Sequence, residues 1–294
     1  MAVFVVAIMK YCSILLCAAL LPLGSNAQTD SAKWDVKIPH SYKFVRYHDN
    51  QIANTRHLYP FFEELYKLKR DHKGVVKAVH IGDSHIQADM MTSHLRRGCQ
   101  QYFGNAGRGI VFPYQLAKSN GPADVTSSSD VTWQYNRLSH PENPIQTGIC
   151  GFGIHSSSPQ ANVKMRLKPV DSVPQYFNRI TFFTGKEKTC YKLTAGTGGE
   201  PVATGFDSNT DSALVYDLPA PASELELTGC GGGQRNGDFS LYGVSMERTD
   251  SSGVLYHTIG VNGAQYEQYT RVDLFWEQLR VLQGGLFIVS MGTN

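Results

Sequence analysis

Charge of either sign is scarce in this sequence. Of 294 residues, 18% are charged, and the formal net charge is +2. Lys10 is the only charged side chain in the first 27 residues, so the rest of the chain is almost neutral. Such a balance supplies no field for nucleic acid or an anionic membrane surface, so neither is expected as a partner. Long apolar runs are also missing. The stretch from Tyr11 to Leu23 has 13 residues, whereas a helix needs ~20 to cross a bilayer. Cysteine is sparse, and beyond the first 27 residues only Cys99, Cys150, Cys190 and Cys230 remain. None forms a C-x-x-C pair and no histidine stands beside them at ligand spacing, which argues against a metal site. The glycine run from Gly229 to Gly237 lacks the Gly-Lys-Ser/Thr ending of a phosphate-binding loop and reads as a β-turn. No metal or organic cofactor is implied. The composition, 41% hydrophobic, is that of a globular chain able to bury a core.

The amino-terminal residues read as an export signal. Lys10 precedes the short apolar run, and Ser25-Asn26-Ala27 offers small side chains for cleavage. The expected mature protein begins near Gln28, is periplasmic or extracellular, and has no stable membrane insertion after cleavage. An oxidising compartment would allow one or two disulfides among the four remaining cysteines, with buried thiols as the alternative.

The rest divides by texture. Between Thr55 and Lys69, Leu58, Phe61, Phe62, Leu65, Tyr66 and Leu68 recur at helical spacing. Val75 to Ile81 is a β-branched run between Gly74 and Gly82 and reads as a buried strand, followed by a helix from about Gln87 to Tyr102. From about Ser119 to Gly253 come many short segments rich in Thr, Ser, Tyr, Phe and Val, broken by Gly, Pro, Asn and Asp, as in an antiparallel β-sandwich. Then follow a strand over Val254 to Ile259, a long helix over Ala264 to Leu282, and a continuously apolar strand over Leu286 to Met291, of a kind buried on both faces of a parallel sheet. An α/β domain interrupted by a β domain is the expected architecture.

The chemistry sits at the ends of the α/β strands. Gly82-Asp83-Ser84 falls where a strand turns into a helix, which lifts the Ser84 hydroxyl above the sheet and places helix amides behind it. A serine so placed suits a nucleophile, although Asp83 and Ser84 are also good helix caps. Ile259-Gly260-Val261-Asn262-Gly263-Ala264 ends the second strand and Met291-Gly292-Thr293-Asn294 the third. A glycine amide and an asparagine side chain there would serve as extra oxyanion donors. Their bland readings are a turn glycine and a cap or turn residue.

The three blocks His80 to His85, Gly260 to Ala264 and Gly292 to Asn294 resemble blocks one, two and three of the GDSL/SGNH hydrolases. The chain is most similar to the periplasmic branch related to peptidoglycan O-acetylesterases, which the stretch Phe103 to Gly109 also resembles. The resemblance implies a flavodoxin-like three-layer α/β/α domain, with residues 28–118 as its first part, a carbohydrate-binding-like β-sandwich inserted over 119–253, and its continuation over 254–294. It implies Ser84 as nucleophile, with the Ser84 and Gly263 backbone N–H groups and the Asn294 amide as the oxyanion hole, and Asp83 organising the turn. His85 replaces the family's Leu and reads as a first-turn or cleft residue. The family's base, a histidine three residues after an aspartate, is missing, because none of the ten histidines here has Asp at the third position before it. The expectation is therefore that the sequence is a piece of a longer chain whose base lies beyond Asn294, and that the isolated piece is poorly stable or inactive.

The implied substrate is an acylated glycan, through removal of acetyl groups from a cell-wall or other polysaccharide. Trp133, Tyr135 and Tyr176 are candidates to stack on sugar rings, or else core residues. Arg96-Arg97 reads as a solvated helix face. Two other readings stand: a non-catalytic glycan-binding or envelope protein with a degenerate hydrolase fold, and a lipase or thioesterase.

Overall fold

Two kinds of sheet are built from the two textures. The computed structural model describes residues 4–5, 46, 51–170, 175–185, 190–196, 201–206, 213–229 and 239–294. Apart from Phe4 and Val5, the residues read as an export signal lie outside this set, as do most of the glycine run and Cys230. In chain order the strands and α-helices are β1 (Phe4–Val5), α1 (Tyr59–Asp71), β2 (Val75–Gly82), α2 (Ser84–Gln87), α3 (Met90–Phe103), β3 (Gly107–Val111), β4 (Val125–Ser128), β5 (Gln134–Arg137), β6 (Phe152–Ser156), β7 (Asn162–Leu167), β8 (Phe177–Thr184), β9 (Cys190–Ala195), β10 (Pro201–Phe206), β11 (Ala213–Ala222), β12 (Glu224–Gly229), β13 (Phe239–Glu247), β14 (Gly253–Gly260), α4 (Tyr266–Thr270), α5 (Asp273–Leu279) and β15 (Leu286–Ser290).

One sheet has the order β1-β15-β2-β14, in which β15, β2 and β14 are parallel and β1 adds antiparallel to β15. Alternation along β2 divides its side chains between two cores. Val76 and Ala78 join Val254, Tyr256 and Leu68 of α1, with Phe61, Leu65 and Phe103 packed against them. Val79 and Ile81 face the other way, into the core that contains Ile259, Tyr269, Leu274, Phe275 and Leu279. Helices thus contribute to the cores on both faces of the parallel strands.

The other strands form two antiparallel sheets, β10-β9-β12-β7-β4 and β11-β8-β13-β6-β5. β3 pairs antiparallel with β13, while Asn105, just before it, bridges in parallel to Val254 of β14. One short segment therefore ties the parallel sheet to an antiparallel one. Gly104 allows the approach, at φ +104 and with the Ser252 carbonyl 2.3 Å from where a Cβ would stand.

Several expectations need correction. The helix expected from about Gln87 to Tyr102 starts three residues later: α2 ends at Gln87, Asp89 adopts φ 55, and α3 runs Met90–Phe103. The long helix over 264–282 divides into α4, α5 and a 3-10 turn at Arg280–Leu282, because Val272 between the helices is extended. β15 is only half-buried except at Ser290, since its outer edge carries just the two residues of β1. Arg96 is no solvated residue: it is 3% exposed, and its guanidinium pairs with Asp89 at 2.7 Å and Asp124 at 3.3 Å. For Trp133 the core reading holds instead of the sugar-stacking one: it is 4% exposed and edge-on to Phe239, with its indole N–H donating to Ser129. Cys99 and Cys150 are free thiols.

Candidate active site

The ends of β2, β14 and β15 bring the three sequence blocks together. The parallel register places Gly82 opposite both Gly260 and Ser290, so all three strands leave the sheet at one level. Close packing explains the glycines. A Cβ on Gly82 would lie 2.3 Å from Ile86 Cγ1 and 2.6 Å from the Ser290 carbonyl, and one on Gly260 would lie 2.1 Å from the Gln87 amide nitrogen. α2 can therefore sit directly over the strand ends, with Ser84 as its first residue.

Asp83 caps that turn. It is 2% exposed, and its carboxylate accepts from the His85 amide at 3.1 Å and the His85 ring at 3.1 Å. Its other oxygen accepts from the Thr293 hydroxyl and, at 3.3 Å, from the Asn294 amide. Burial opposes ionisation of Asp83, but the hydrogen bonds from Thr293 and His85 outweigh it and hold the carboxyl below the usual range. Asn294 also donates to the Ala264 carbonyl at 3.3 Å, one residue from Gly263. Gly263 has φ +74, which favours glycine. Ser84, Asp83, Gly263 and Asn294 thus belong to one cluster. His85 is exposed and bound to Asp83, and among the described residues Ser84 Oγ makes no hydrogen bond.

Sequence reasoning missed six supporting residues: Gln87, Ser119, Asn120, Ser139, His140 and Tyr269. Gln87 is buried. Its amide donates to Ser119 Oγ (2.8 Å) and the Asn120 carbonyl (2.7 Å), while its oxygen accepts from the Asn262 N–H (2.6 Å). Asn120 in turn accepts from the Asn262 side chain at 2.7 Å. Tyr269 is buried and donates its hydroxyl to the Gly82 carbonyl at 2.8 Å. His140 is exposed and lies beside Gly263: a Cβ there would be 3.1 Å from its ring. Its neighbour Ser139 donates to the Asn262 carbonyl at 2.7 Å. Only Gln87, one turn beyond Ser84, had a spacing that hinted at a role. Among the described residues no group of three His, Cys, Asp or Glu side chains is arranged to hold a metal ion, and no helix is long and apolar enough to cross a membrane.

No protein-family model matches this sequence, and no curated protein matches it. Among solved structures, a peptidoglycan O-acetylesterase is similar over 80% of this chain with a TM-score of 0.59 and 21% identity. A family 32 carbohydrate-binding module from C. perfringens, in complex with galactose, covers 43% of the chain at 16% identity and a TM-score of 0.30. The chain spans 61% of the length of the esterase it matches, and its fold is similar to that esterase's.

Proposed function

We propose that this protein is an exported serine esterase of the GDSL/SGNH type that removes O-acyl groups, chiefly O-acetyl, from a cell-wall or other polysaccharide. The observation that carries the reading is the in-register convergence of three strand ends, with Asp83 of the first block hydrogen-bonded to Thr293 and Asn294 of the third. The order of the parallel strands, with the first between the second and third, is that of the first three strands of the flavodoxin-like arrangement 2-1-3-4-5. A three-layer hydrolase domain over residues 28–118 and 254–294, with an inserted sandwich over 119–253, suits that order.

In this reading Ser84 Oγ attacks the ester carbonyl as a base takes its proton. The oxyanion is held by the Ser84 and Gly263 amides and the Asn294 side chain, the sugar alkoxide leaves with a proton, and water hydrolyses the acyl-enzyme. The family supplies the base from an Asp-x-x-His pair. The cluster bears on the other roles: Asp83 fixes the turn, Asn294 would donate to the oxyanion by exchanging one of its two 3.3 Å bonds, to Asp83 or to the Ala264 carbonyl, and the left-handed Gly263 turns its loop beside Ala264.

The test is acetate release from O-acetylated peptidoglycan by the protein and by its Ser84→Ala variant. Loss of about three orders of magnitude or more, with an unchanged thermal midpoint, is expected for a nucleophile. Undiminished release would remove the assignment. Glycan binding without any hydrolysis by the unaltered protein would favour the non-catalytic reading, in which the hydrolase fold survives without a base.

A further inference from the structure

Beside the candidate oxyanion site, the segment between β5 and β6 presents a histidine. His140 is exposed, and a Cβ on Gly263 would lie 3.1 Å from its ring Cε1 and 3.6 Å from its Nδ1. The imidazole therefore faces the open side of Gly263. Because the Gly263 amide nitrogen is bonded to the same Cα, a ligand that engages this amide has the His140 ring as its neighbour.

The chain on either side of that ring is held firmly. Before it, Ser139 Oγ donates to the Asn262 carbonyl at 2.7 Å, and the Ser139 carbonyl accepts from Gln268 at 3.3 Å. The Leu138 amide donates to the Gly151 carbonyl at 2.9 Å. After it, the Glu142 amide donates to Asn136 at 2.9 Å, and the Glu142 carboxylate accepts from Arg137 at 2.8 Å. Pro141 fixes its own φ between these anchors. The exception is His140 itself, whose ring makes no hydrogen bond among the described residues. A backbone pinned on both sides leaves little more than the side-chain torsions to be ordered when a ligand engages the ring.

What meets the ring follows from the ester. On the esterase reading, on which this inference rests, the acetyl oxygen is taken by the oxyanion donors and the methyl group is apolar, so neither needs an imidazole. The alcohol side is a sugar within a polymer, which stays at the exposed mouth of the site. Its hydroxyls both give and accept hydrogen bonds, as a neutral imidazole does through its two nitrogens. We propose that His140 determines specificity for the glycan, its ring exchanging hydrogen bonds with a hydroxyl of the sugar unit that carries the ester. The segment between β5 and β6 thereby supplies a sugar contact at the candidate active site itself.

The experiment compares soluble O-acetylated peptidoglycan fragments with p-nitrophenyl acetate, which has no sugar, as substrates of the protein and of His140→Ala, His140→Phe and His140→Gln. Loss of one neutral hydrogen bond should raise KM for the fragments about three- to tenfold in the Ala and Phe variants, with a smaller change in kcat. Preference for the fragments over p-nitrophenyl acetate, as the ratio of kcat/KM values, should fall by a similar factor. The Gln amide both gives and accepts, and should recover part of that preference, which a merely structural role would not explain. An unchanged preference, an equal loss on both substrates, or a Gln variant no better than Phe would each overturn the proposal. Calorimetric titration with the fragments separates it from the esterase reading. In a Ser84→Ala background, His140→Ala should weaken binding about three- to tenfold, and an unchanged affinity would overturn the proposal while leaving Ser84 as the nucleophile. Undiminished acetate release by Ser84→Ala would instead remove the esterase reading, and this inference with it.

Discussion

Mild acid should destabilise this protein through two histidines that its parallel sheet holds neutral. His80 on β2 is 2% exposed and lies between strands, with Nδ1 2.8 Å from the Tyr256 hydroxyl on β14 and Nε2 2.7 Å from Ser290 Oγ on β15. A neutral ring satisfies both neighbours, taking a proton from one and giving one to the other. Burial brings its pKa down to about 4, and the charge of Asp89 opposes the shift only weakly. His257 on β14 is fully buried on the opposite face. Its Nδ1 accepts from the Ile110 amide at 3.1 Å, and its Nε2 has no partner among the described residues. Burial, aided by the charges of Lys77 and Arg108, brings its pKa to about 3.

Both folded values lie below the unfolded value, so between pH ~6.5 and the folded pKa the unfolded chain binds more protons and stability rises with pH. The contribution is complete above pH ~6.5 and is lost as the pH falls through that window toward about 4 and about 3. At pH 5 each histidine accounts for about 2 kcal/mol of lost stability by this linkage, about 4 together, against a typical total of ~5–15. Urea unfolding at pH 7 and pH 5 measures the effect. In His80→Gln and in His257→Phe, the difference in unfolding free energy between the two pH values should shrink by about 2 kcal/mol, whatever either variant does to stability at pH 7. Variants that keep the full pH difference of the unaltered protein would refute the reasoning.

Three further outcomes follow from the packing. Arg96→Met leaves Asp89 and Asp124 with one cation between them, and should lower unfolding free energy by about 3–5 kcal/mol in urea titration. Gly260→Ala drives a methyl group to 2.1 Å from the Gln87 amide nitrogen; about 1–3 kcal/mol or more of destabilisation is expected by thermal melting, since backbone and not a flexible side chain must move. Gln87→Leu keeps the volume but leaves the Asn262 N–H without its acceptor, and on the proposed esterase reading should reduce kcat on p-nitrophenyl acetate about tenfold or more, with a smaller change in KM.

The α/β strands were legible because each is a run of β-branched residues bounded by glycine, and periodicity reports such runs directly. Their shared level was less so. It follows from the register of Gly82 with Gly260 and Ser290, which chain order suggests but does not fix. One helix was read across a break for the same reason, because apolar spacing continues through Val272, where the backbone turns, while the helix after Ser84 starts at Met90, three residues later than expected. At Val272 the break comes three residues after Tyr269, whose ring packs 5.0 Å from Phe275 and whose hydroxyl reaches the Gly82 carbonyl. No pattern of single residues announces a hydrogen bond spanning 187 positions.

Arg96 makes the same point about charge. An Arg-Arg pair on a helix is ordinarily solvated, and the reading fails because the carboxylates that hold Arg96 come from elsewhere: Asp89 from the turn before α3 and Asp124 from the residue before β4, both shared with Arg108 of β3. β3 carries Arg108 inward because that strand joins an antiparallel sheet while Asp124 lies within reach on the next segment. The same interleaving acts at the candidate active site. Ser119 and Asn120 hold Gln87, Gln87 holds the Asn262 amide, and Ser139 holds the Asn262 carbonyl. The loop that carries Gly263 is thus clamped on one side by the helix after Ser84 and on the other by segments leading into and out of the antiparallel strands. If the sandwich were only an appended sugar-binding module, those contacts would be unnecessary. Their geometry makes the position of Gly263, one of the proposed oxyanion donors, depend on the antiparallel strands being folded.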